Sequence, residues 1–385
     1  MQEQVGGCER KAQRFFQLVR YSIGASEIFP DDLTEEEWKD FFAIARQQSL
    51  LGVLFYGIQK RAPSKLEKGL LLKWYAVAEM IRQSNMKVNR AAVKLSDSLK
   101  EQGFLSCILK GQGNTLNYPD PYIRMSGDID AWVMKKAEGR ELTGDALARE
   151  VIRYARGKNP GTRAVYHHVD LGEVDGVEVE MHYRPSFMHH FIRDRRMQRW
   201  FDEMRKEQFS HVMELPDGAG RICVPTHAFN RIYQMGHLSR HVIHVGIGLR
   251  HIVDYYYVLK QGFTEEERVQ DEKLLKRLGL YEMAAAVMYV LKEVLHMDDR
   301  FLLVPVDERR GKFLLHDVML SGNFGQYDAD GNRKKVKNRV MRNVQRLMRD
   351  VHLMCYFPSE CLWEPLFRVW HFFFWRSRFR ACVLR

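Results

Sequence analysis

Two aspartates separated by one residue have the clearest capacity for chemistry in this sequence. Asp128 and Asp130 lie in the segment Gly127-Asp128-Ile129-Asp130, which leads into alternating, β-favouring residues up to Met134. Side chains alternate along a strand, so both carboxylates are expected on one face, roughly 6–7 Å apart along the backbone. Two carboxylates this close repel each other unless a cation lies between them. Mg²⁺ suits this arrangement, because it binds a few carboxylates together with substrate phosphates.

A second strand further along the chain offers the third carboxylate that such a site needs. Val177–Tyr183 has the alternation of a strand and follows Asp175-Gly176, a pair typical of a hairpin turn. By the two-residue period, Glu178, Glu180 and His182 share one face of this strand. A third acid there would allow two metal ions about 3.5–4 Å apart, serving the attacking and leaving oxygens.

A glycine-rich turn precedes the aspartates. The apolar run Phe104–Leu109 predicts a buried strand, which ends at Lys110-Gly111-Gln112-Gly113. Backbone N–H groups in such a turn can reach phosphate oxygens, and Lys110 or Arg124 can add positive charge.

In this order, the motifs resemble the uncharacterised nucleotidyltransferase family of bacteria, part of the superfamily that includes DNA polymerase β and the tRNA-terminal CCA-adding enzymes. The resemblance rests on Leu109-Lys110-Gly111, Arg124, Gly127-Asp128-Ile129-Asp130, Glu180-Met181-His182-Tyr183, and Gly248-Leu249-Arg250 with Asp254. The superfamily usually has Gly-Ser where this chain has Lys110-Gly111, so the serine's phosphate contact would have to come from elsewhere, with Lys110 as a candidate.

The resemblance implies roles for particular residues. Asp128, Asp130 and Glu180 match the catalytic metal ligands, and Glu180 is preferred over Glu178 because it precedes His182 as in the family. One or two Mg²⁺ ions are expected, with Mn²⁺ able to substitute, and a nucleoside triphosphate as substrate. The residues expected to bind the nucleotide are Lys110, Gly111, Gly113, Arg124, His182 and Arg250.

The expected fold class is α+β, with a small mixed-sheet core flanked by amino- and carboxy-terminal helical regions. The boundaries are a helical region at 1–99, the nucleotidyltransferase core at 100–215, and a second helical region at 216–385. Thr34 with Glu37 forms a capping-box pattern that opens an early helix. Ala164–Leu171 predicts the strand before the hairpin turn, and the helical pattern returns after Pro225.

The net charge of +11 is concentrated at the carboxy-terminal end, where thirteen basic residues against three acidic ones lie between Arg333 and Arg385. At helical spacing, five of them form a basic stripe: Lys335, Arg339, Arg342, Arg346 and Arg349. Such a stripe is either a solvated helix face or a surface that contacts an anionic partner, namely nucleic acid, anionic lipid or a phosphorylated substrate. We predict the anionic partner.

His237, His241 and His244 share one helix face, and we expect them to be packed or to face the substrate without binding metal. No apolar stretch is long enough for a transmembrane segment. The six scattered cysteines contain no CxxC pair, which suits a reducing, cytoplasmic location.

The sequence therefore predicts a Mg²⁺-dependent nucleotidyltransferase that transfers a nucleoside monophosphate to the hydroxyl of an unknown acceptor and releases pyrophosphate. Two alternatives stay open. One is a binding protein that keeps the fold but has lost catalysis. The other is an RNA-binding module that uses the basic carboxy-terminal region, with salt-dependent affinity that survives loss of Asp128.

Overall fold

The computed structural model describes residues 2–61, 63, 65–322, 349 and 351–378. A mixed sheet lies between two sets of helices, which confirms the α+β class expected from the sequence. Within the described residues, no helix is both long and apolar enough to cross a membrane. The helices before the sheet are α1 (Gln2–Ser22), α2 (Glu35–Gln47), α3 (Leu51–Arg61) and α4 (Lys68–Glu101).

The main sheet has the strand order β1-β2-β5-β4, with β3 pairing on the outer end of β2. Its strands are β1 (Phe104–Leu109), β2 (Ile129–Ala137), β3 (Arg140–Glu141), β4 (His168–Val174) and β5 (Val177–His182). The two helices within this region are α5 (Gly111–Thr115) and α6 (Gly144–Lys158). The β2–β5 pair is parallel and the β1–β2 and β4–β5 pairs are antiparallel.

The register of these strands places carboxylates and histidines next to one another across the sheet. Asp130 on β2 lies opposite Glu180 on β5, and Glu180 lies opposite Asp170 on β4. In the neighbouring row, His182 on β5 lies opposite His168 on β4. Because side chains alternate along each strand, all five project from the same face of the sheet.

The opposite face of the sheet is apolar and packs on α4 and α6. Ile129, Ala131 and Val179 belong to a buried cluster together with residues of those two helices. On the functional face, Trp132 stacks on Phe229 of α8, so the helices after the sheet cover this side. Those helices are α7 (Phe191–Gln208), α8 (His227–His244), α9 (Leu249–Lys260), α10 (Glu265–Leu278), α11 (Tyr281–Tyr289), α12 (Glu308–Ser321), α13 (Pro358–Cys361) and α14 (Glu364–Arg378).

A small hairpin, β6 (Val212–Leu215) with β7 (Gly220–Cys223), packs beside β1. Val224, which follows this hairpin, lies so close to α5 that residue 113 has little room for a side chain. A Cβ on Gly113 would lie 3.2 Å from the Val224 side chain, so the close approach favours glycine at this position.

Several local signals in the sequence form the predicted structures. Thr34 and Glu37 make a reciprocal capping box at the start of α2. Asp175 and Gly176 both have positive φ, at 50° and 71°, as the predicted two-residue hairpin turn requires. Gln48 joins the amino-terminal helices to α9, because its side-chain oxygen accepts from the Leu249 N–H at 2.7 Å.

Two local predictions need correction. The strand predicted at Ala164–Leu171 begins only at His168, because the Val165 N–H donates to the His168 carbonyl and closes a tight turn. Ala164 pairs with Val169 only as an isolated bridge. In addition, Asp128 precedes β2 and does not lie within it. Asp128 is therefore held by the loop that enters the strand.

Candidate active site

A cleft of about 550 Å³ lies between the polar face of the sheet and helices α8 and α9. One side of it, the acidic wall, carries Asp128, Asp130 and Glu180. The opposite side, the basic wall, carries Arg240 on α8 and Arg250 on α9, together with histidines of both helices. The cleft thus brings together most of the predicted site residues, namely Lys110, Gly111, Arg124, Asp128, Asp130 and Glu180 from the sheet region and Arg250 from α9.

The acidic wall is built by the strand register. Asp130 and Glu180 are direct neighbours on the parallel strands β2 and β5, and Asp130 is almost completely buried. Asp128 is exposed at the mouth of the cleft. Glu178 shares the strand face of Glu180 but is exposed and does not line the cleft.

Asp130 is held between two cationic groups. Its Oδ2 lies 2.8 Å from the Lys110 ammonium, and its Oδ1 lies 2.9 Å from Nε2 of His182. Burial alone would raise the pKa of Asp130, but the charge of Lys110 and the hydrogen bond from His182 outweigh burial and hold it well below its usual range. Asp130 is therefore ionised at neutral pH.

Both ring nitrogens of the buried His182 face acceptors. Nε2 contacts Asp130 and lies 3.2 Å from Glu180 Oε2, while Nδ1 lies 3.3 Å from the Arg184 carbonyl. Only a ring protonated on both nitrogens can donate in both directions. Burial opposes this protonation, but the hydrogen bonds to Asp130 and Glu180 raise the pKa of His182 above its ordinary value. His182 is thus a support for the two acids within the wall.

Two of the carboxylates lie close enough to share a divalent cation, because Asp130 and Glu180, with His182, each offer a ligand atom and these atoms lie within 4.8 Å of one another. The negative charge of Asp130, followed by loss of hydration within the cleft, raises the pKa of Asp128 above its usual value, as expected for neighbouring carboxylates. Each carboxylate oxygen has two lone pairs, so Asp130 can accept from Lys110 and His182 and still bind a metal ion. Asp130 and Glu180, with Asp128 lining the same cleft, are the residues that would hold Mg²⁺ or Mn²⁺, both of which bind carboxylate oxygens.

Lys110 has an unusual backbone conformation for a residue with a side chain, with φ of 49°. It stands between β1 and α5, and its ammonium lies 3.5 Å from His237 as well as beside Asp130. Gly111 follows it and lines the cleft. The N–H of Gly113 instead donates to the Lys110 carbonyl within α5, so it is engaged inside the helix and does not point to the cleft.

Arg124 lies at the base of the cleft in a buried ion pair. Its Nε and Nη2 donate to the two oxygens of Asp254 on α9, at 2.7 and 2.8 Å. The Tyr118 hydroxyl donates to the same carboxylate at 2.6 Å. Burial alone would raise the pKa of Asp254, but the charge and hydrogen bonds of Arg124 hold it below the usual range. The loop that carries Arg124 is fixed by Asn85 of α4, whose amide donates to the Tyr122 and Arg124 carbonyls.

Arg250 and Arg240 form the cationic part of the basic wall. Arg250 is buried, donates to the Met125 carbonyl at 2.7 Å, and has an Nε without a hydrogen-bond partner. Burial, followed by the charge of Arg124, lowers the pKa of Arg250 to about 10. Arg240 donates to Nε2 of His167 at 2.8 Å and stacks over Phe187. In the described part of the chain, neither arginine forms an ion pair within 4.0 Å of a carboxylate.

Arg240, His167 and His168 also line this cleft, and none of the three was predicted from the sequence. The signal for Arg240 was present, because it follows His237 by three residues and so shares its helix face. His237, His241 and His244, which were expected either to be packed or to face the substrate, all line the cleft. Burial, and then the nearby charge of Lys110, lowers the pKa of His237 well below its ordinary value, so this ring is neutral.

His168 is a further imidazole between the acids of the sheet. Its Nδ1 lies 3.1 Å from His167 Nε2 and 3.2 Å from Glu180 Oε2. Its Nε2 faces Asp170 Oδ1 at 3.6 Å. Burial, followed by the charge of His182, lowers the pKa of His168 to about 3, which makes the ring neutral at physiological pH.

Of the predicted basic stripe, Lys335, Arg339, Arg342 and Arg346 lie outside the described residues. Arg349 is described and points inward. It forms an ion pair with Asp317 of α12 at 3.1 Å and donates to the Val242 and Ile243 carbonyls near the end of α8. Arg349 is thus engaged within the fold, and a partner for the other four residues stays a prediction.

Comparison with known proteins agrees with the resemblance noted in the sequence. Residues 34–296, more than half of the chain, match the family described as uncharacterised nucleotidyltransferase. Among solved structures, the chain resembles an antigenic nucleotidyltransferase-like protein from Paracoccidioides brasiliensis at 15% sequence identity and a TM-score of 0.33, over 55% of this chain and 93% of that one. No curated protein matches the sequence. The family match supports a general role in nucleotidyl transfer, and the chain belongs to the uncharacterised nucleotidyltransferase family.

Proposed function

We propose that this protein is a Mg²⁺- or Mn²⁺-dependent nucleotidyltransferase that transfers a nucleoside monophosphate from a nucleoside triphosphate to an acceptor hydroxyl. The observation that carries the proposal is the opposition of charges across one cleft. Three carboxylates face two arginines that lack a carboxylate partner among the described residues. A metal ion on one wall and a polyphosphate against the other would satisfy both.

The basic wall supports a phosphate-bearing substrate. Buried cations are unfavourable without a counter-charge, and burial lowers the pKa of both Arg240 and Arg250. Guanidinium groups bind phosphate oxygens through paired hydrogen bonds. Together with Lys110, these arginines would hold the β- and γ-phosphates and stabilise the charge of the departing pyrophosphate.

The acidic wall supports transfer at the α-phosphate. The acceptor oxygen would bond to the α-phosphorus as the bond from that phosphorus to the bridging β-phosphate oxygen breaks, which releases pyrophosphate. The acceptor's proton would pass to a carboxylate, and Glu180 is a candidate because it is only partly buried and reaches the cleft. A divalent ion, when bound, supplies positive charge to the phosphate oxygens. Asp128 and Asp130 would orient that ion, while Lys110 and His182 hold Asp130 in its ionised form.

The test is a thermal-shift screen of the wild-type protein against the four nucleoside triphosphates, with and without Mg²⁺ or Mn²⁺. Binding to the folded state at about 100 times Kd stabilises it by about 2.7 kcal/mol, which gives a clear rise in melting temperature. We expect a metal-dependent shift that Asp128→Asn abolishes and that the exposed Glu178→Gln, the matched control on β5, retains. Pyrophosphate release then reports turnover.

A wild-type protein that shows no shift with any nucleotide would favour the alternative of a fold retained without catalysis. A shift without pyrophosphate release, in the presence of candidate hydroxyl acceptors, would leave nucleotide binding in place and direct the search to the acceptor. An Asp128→Asn protein that shifts as much as wild type would mean that the metal binds elsewhere.

A further inference from the structure

Beside the catalytic carboxylates, a second set of donor atoms converges at the outer edge of the sheet. His168 and Asp170 of β4 and Glu180 of β5 each offer one ligand atom, and the three atoms lie within 4.8 Å of one another. The strand register produces this set, because Asp170 lies directly opposite Glu180 and His168 follows on the same face. The side chains of His168, Asp170 and Glu180 are 15%, 59% and 30% exposed, so the set is open to solvent.

The hydrogen bonds behind His168 determine which of its nitrogens carries the proton. Arg240 can only donate, so His167 Nε2, 2.8 Å away, must accept and carries no hydrogen. The one lone pair of His167 Nε2 is then engaged, and His168 Nδ1 instead faces Glu180 Oε2 at 3.2 Å, which can only accept, so Nδ1 is the donor. In the neutral ring the remaining nitrogen of His168, Nε2, has a free lone pair. That lone pair faces the Asp170 carboxylate at 3.6 Å.

Two acceptors that face each other at this distance leave room for a cation that binds both. The arrangement is also the one in which a metal-bound histidine is normally held, with its second ring nitrogen donating to a fixed partner. Here that partner is Glu180 Oε2, 3.2 Å from Nδ1.

We propose that His168, Asp170 and Glu180 form a second metal site, which binds a transition-metal ion of the Mn²⁺, Co²⁺ or Zn²⁺ class. One imidazole nitrogen with two carboxylates suits these ions, whereas Mg²⁺ prefers oxygen ligands alone. Glu180 belongs to both sites, so an ion at the second site would change the charge and position of the carboxylate that serves the first. The inference goes beyond the proposed function, because metal binding at this edge requires no nucleotide.

The experiment is calorimetric titration of the full-length protein with Zn²⁺ in the absence of nucleotide. We expect at least a ten-fold loss of affinity at one site in His168→Ala and in Asp170→Asn. Asp128→Asn, which removes only a ligand of the first site, should retain that Zn²⁺ site. His316→Ala, an exposed histidine on α12, is the matched control and should bind as wild type.

A spectroscopic measurement distinguishes a histidine that coordinates the metal ion from one that only lies near it. With Mn²⁺ as probe in the Asp128→Asn background, pulsed electron paramagnetic resonance should detect a coordinated ¹⁴N nucleus, and adding His168→Ala should remove its signal. Asp170→Asn is isosteric and largely exposed, so it tests the site even if His168→Ala fails to fold. Wild-type Zn²⁺ affinity in both variants, or loss of the same site in Asp128→Asn, would overturn the proposal. Neither outcome bears on nucleotide transfer, which the thermal-shift screen tests separately.

Discussion

The two walls of the cleft differ in whether their charged side chains contact groups of opposite charge. On the acidic wall, the charge of Asp130 is matched within a few ångströms by Lys110 and His182. On the basic wall, Arg240 contacts imidazole nitrogens and an aromatic ring, and Arg250 contacts a main-chain carbonyl. The buried carboxylate of Asp130 thus has partners of opposite charge within its own wall, whereas among the described residues the two arginines have no carboxylate partner.

This difference suggests a separate role for each wall, metal binding for the acidic wall and phosphate binding for the basic wall. Carboxylates that are held ionised and fixed in position are ready to bind a metal ion with little rearrangement. Arginines with no carboxylate partner are poised for an anion that arrives from solution, because its binding replaces weak contacts by charge-assisted ones. Substitutions on the acidic wall should therefore affect metal dependence, and those on the basic wall should affect nucleotide affinity.

The largest effect is expected on the acidic wall, from Asp130→Asn. Asparagine keeps the shape of the side chain but removes the charge that a metal ion requires, so metal-dependent turnover should fall by more than about 100-fold. Turnover is measured as pyrophosphate release at saturating Mg²⁺ and nucleotide, and circular dichroism checks the fold. Glu178→Gln, an exposed acid outside the cleft, should retain wild-type turnover. Substantial activity in Asp130→Asn would mean that another group binds the metal.

The next effect concerns the base of the cleft, where Arg124 and Asp254 are both buried. Asp254→Asn leaves the Arg124 charge unpaired, which should lower the free energy of unfolding by about 3–5 kcal/mol. Chemical denaturation measures the loss. The double variant Arg124→Gln/Asp254→Asn leaves no unpaired charge and should recover a large part of it. Equal losses in the single and double variants would contradict the charge argument.

The same pair gives a stability that depends on pH with a defined sign. The pKa of Asp254 is held below its usual range in the folded protein, while an aspartate in the unfolded chain has a pKa of about 3.9. Its contribution is therefore complete above about pH 4 and is lost as the pH falls through the lower, folded value. Denaturation curves measured from pH 6 down to pH 3 should show a steeper decline in wild type than in the double variant.

The two walls also differ in how far the sequence predicts them. The acidic wall follows from a two-residue period within short segments, so Asp128, Asp130 and Glu180 can be grouped from the sequence alone. The basic wall depends on how α8 and α9 pack against the sheet, and this is a long-range contact with no local signature. Arg250 was found only through the family resemblance, and Arg240 was missed. His168 was hidden because a turn shortens the strand predicted at Ala164–Leu171.

On the basic wall, Arg240→Gln should weaken nucleotide binding without removing metal dependence. The loss of charge-assisted hydrogen bonds to phosphate should reduce affinity by about 1.5–3 kcal/mol, or roughly 10- to 150-fold. Removing a partly buried cation that lacks a carboxylate partner among the described residues should leave the melting temperature of the free protein unchanged or raise it. Arg199→Gln, on the exposed side of α7, is the control. A clear fall in stability with unchanged nucleotide affinity would assign Arg240 a purely structural role.

The smallest effect is expected from Arg349→Gln. Unlike Arg240, Arg349 is paired with a carboxylate. Arg349 is paired with Asp317, both side chains are 16% exposed, and it donates to two carbonyls in the last turn of α8. Its loss should lower the free energy of unfolding by about 1–2 kcal/mol, since a partly buried pair and its hydrogen bonds exceed the value of an exposed pair. Lys312→Gln breaks the exposed Lys312–Glu308 pair and should leave the free energy of unfolding close to the wild-type value.

Nucleotide affinity and its salt dependence should stay at wild-type values in Arg349→Gln, because this side chain faces the fold and its charge is already matched. The comparison with Arg240→Gln is then direct, since the two arginines lie on or against the same helix and differ in whether a carboxylate neutralises them. If Arg349→Gln weakened binding of RNA or of anionic vesicles and flattened its salt dependence, the stripe predicted from the sequence would act through this residue as well. Unfolding measurements and binding titrations at two salt concentrations distinguish these outcomes. Loss of an inward-facing arginine changes the free energy of unfolding and leaves the binding affinity unchanged.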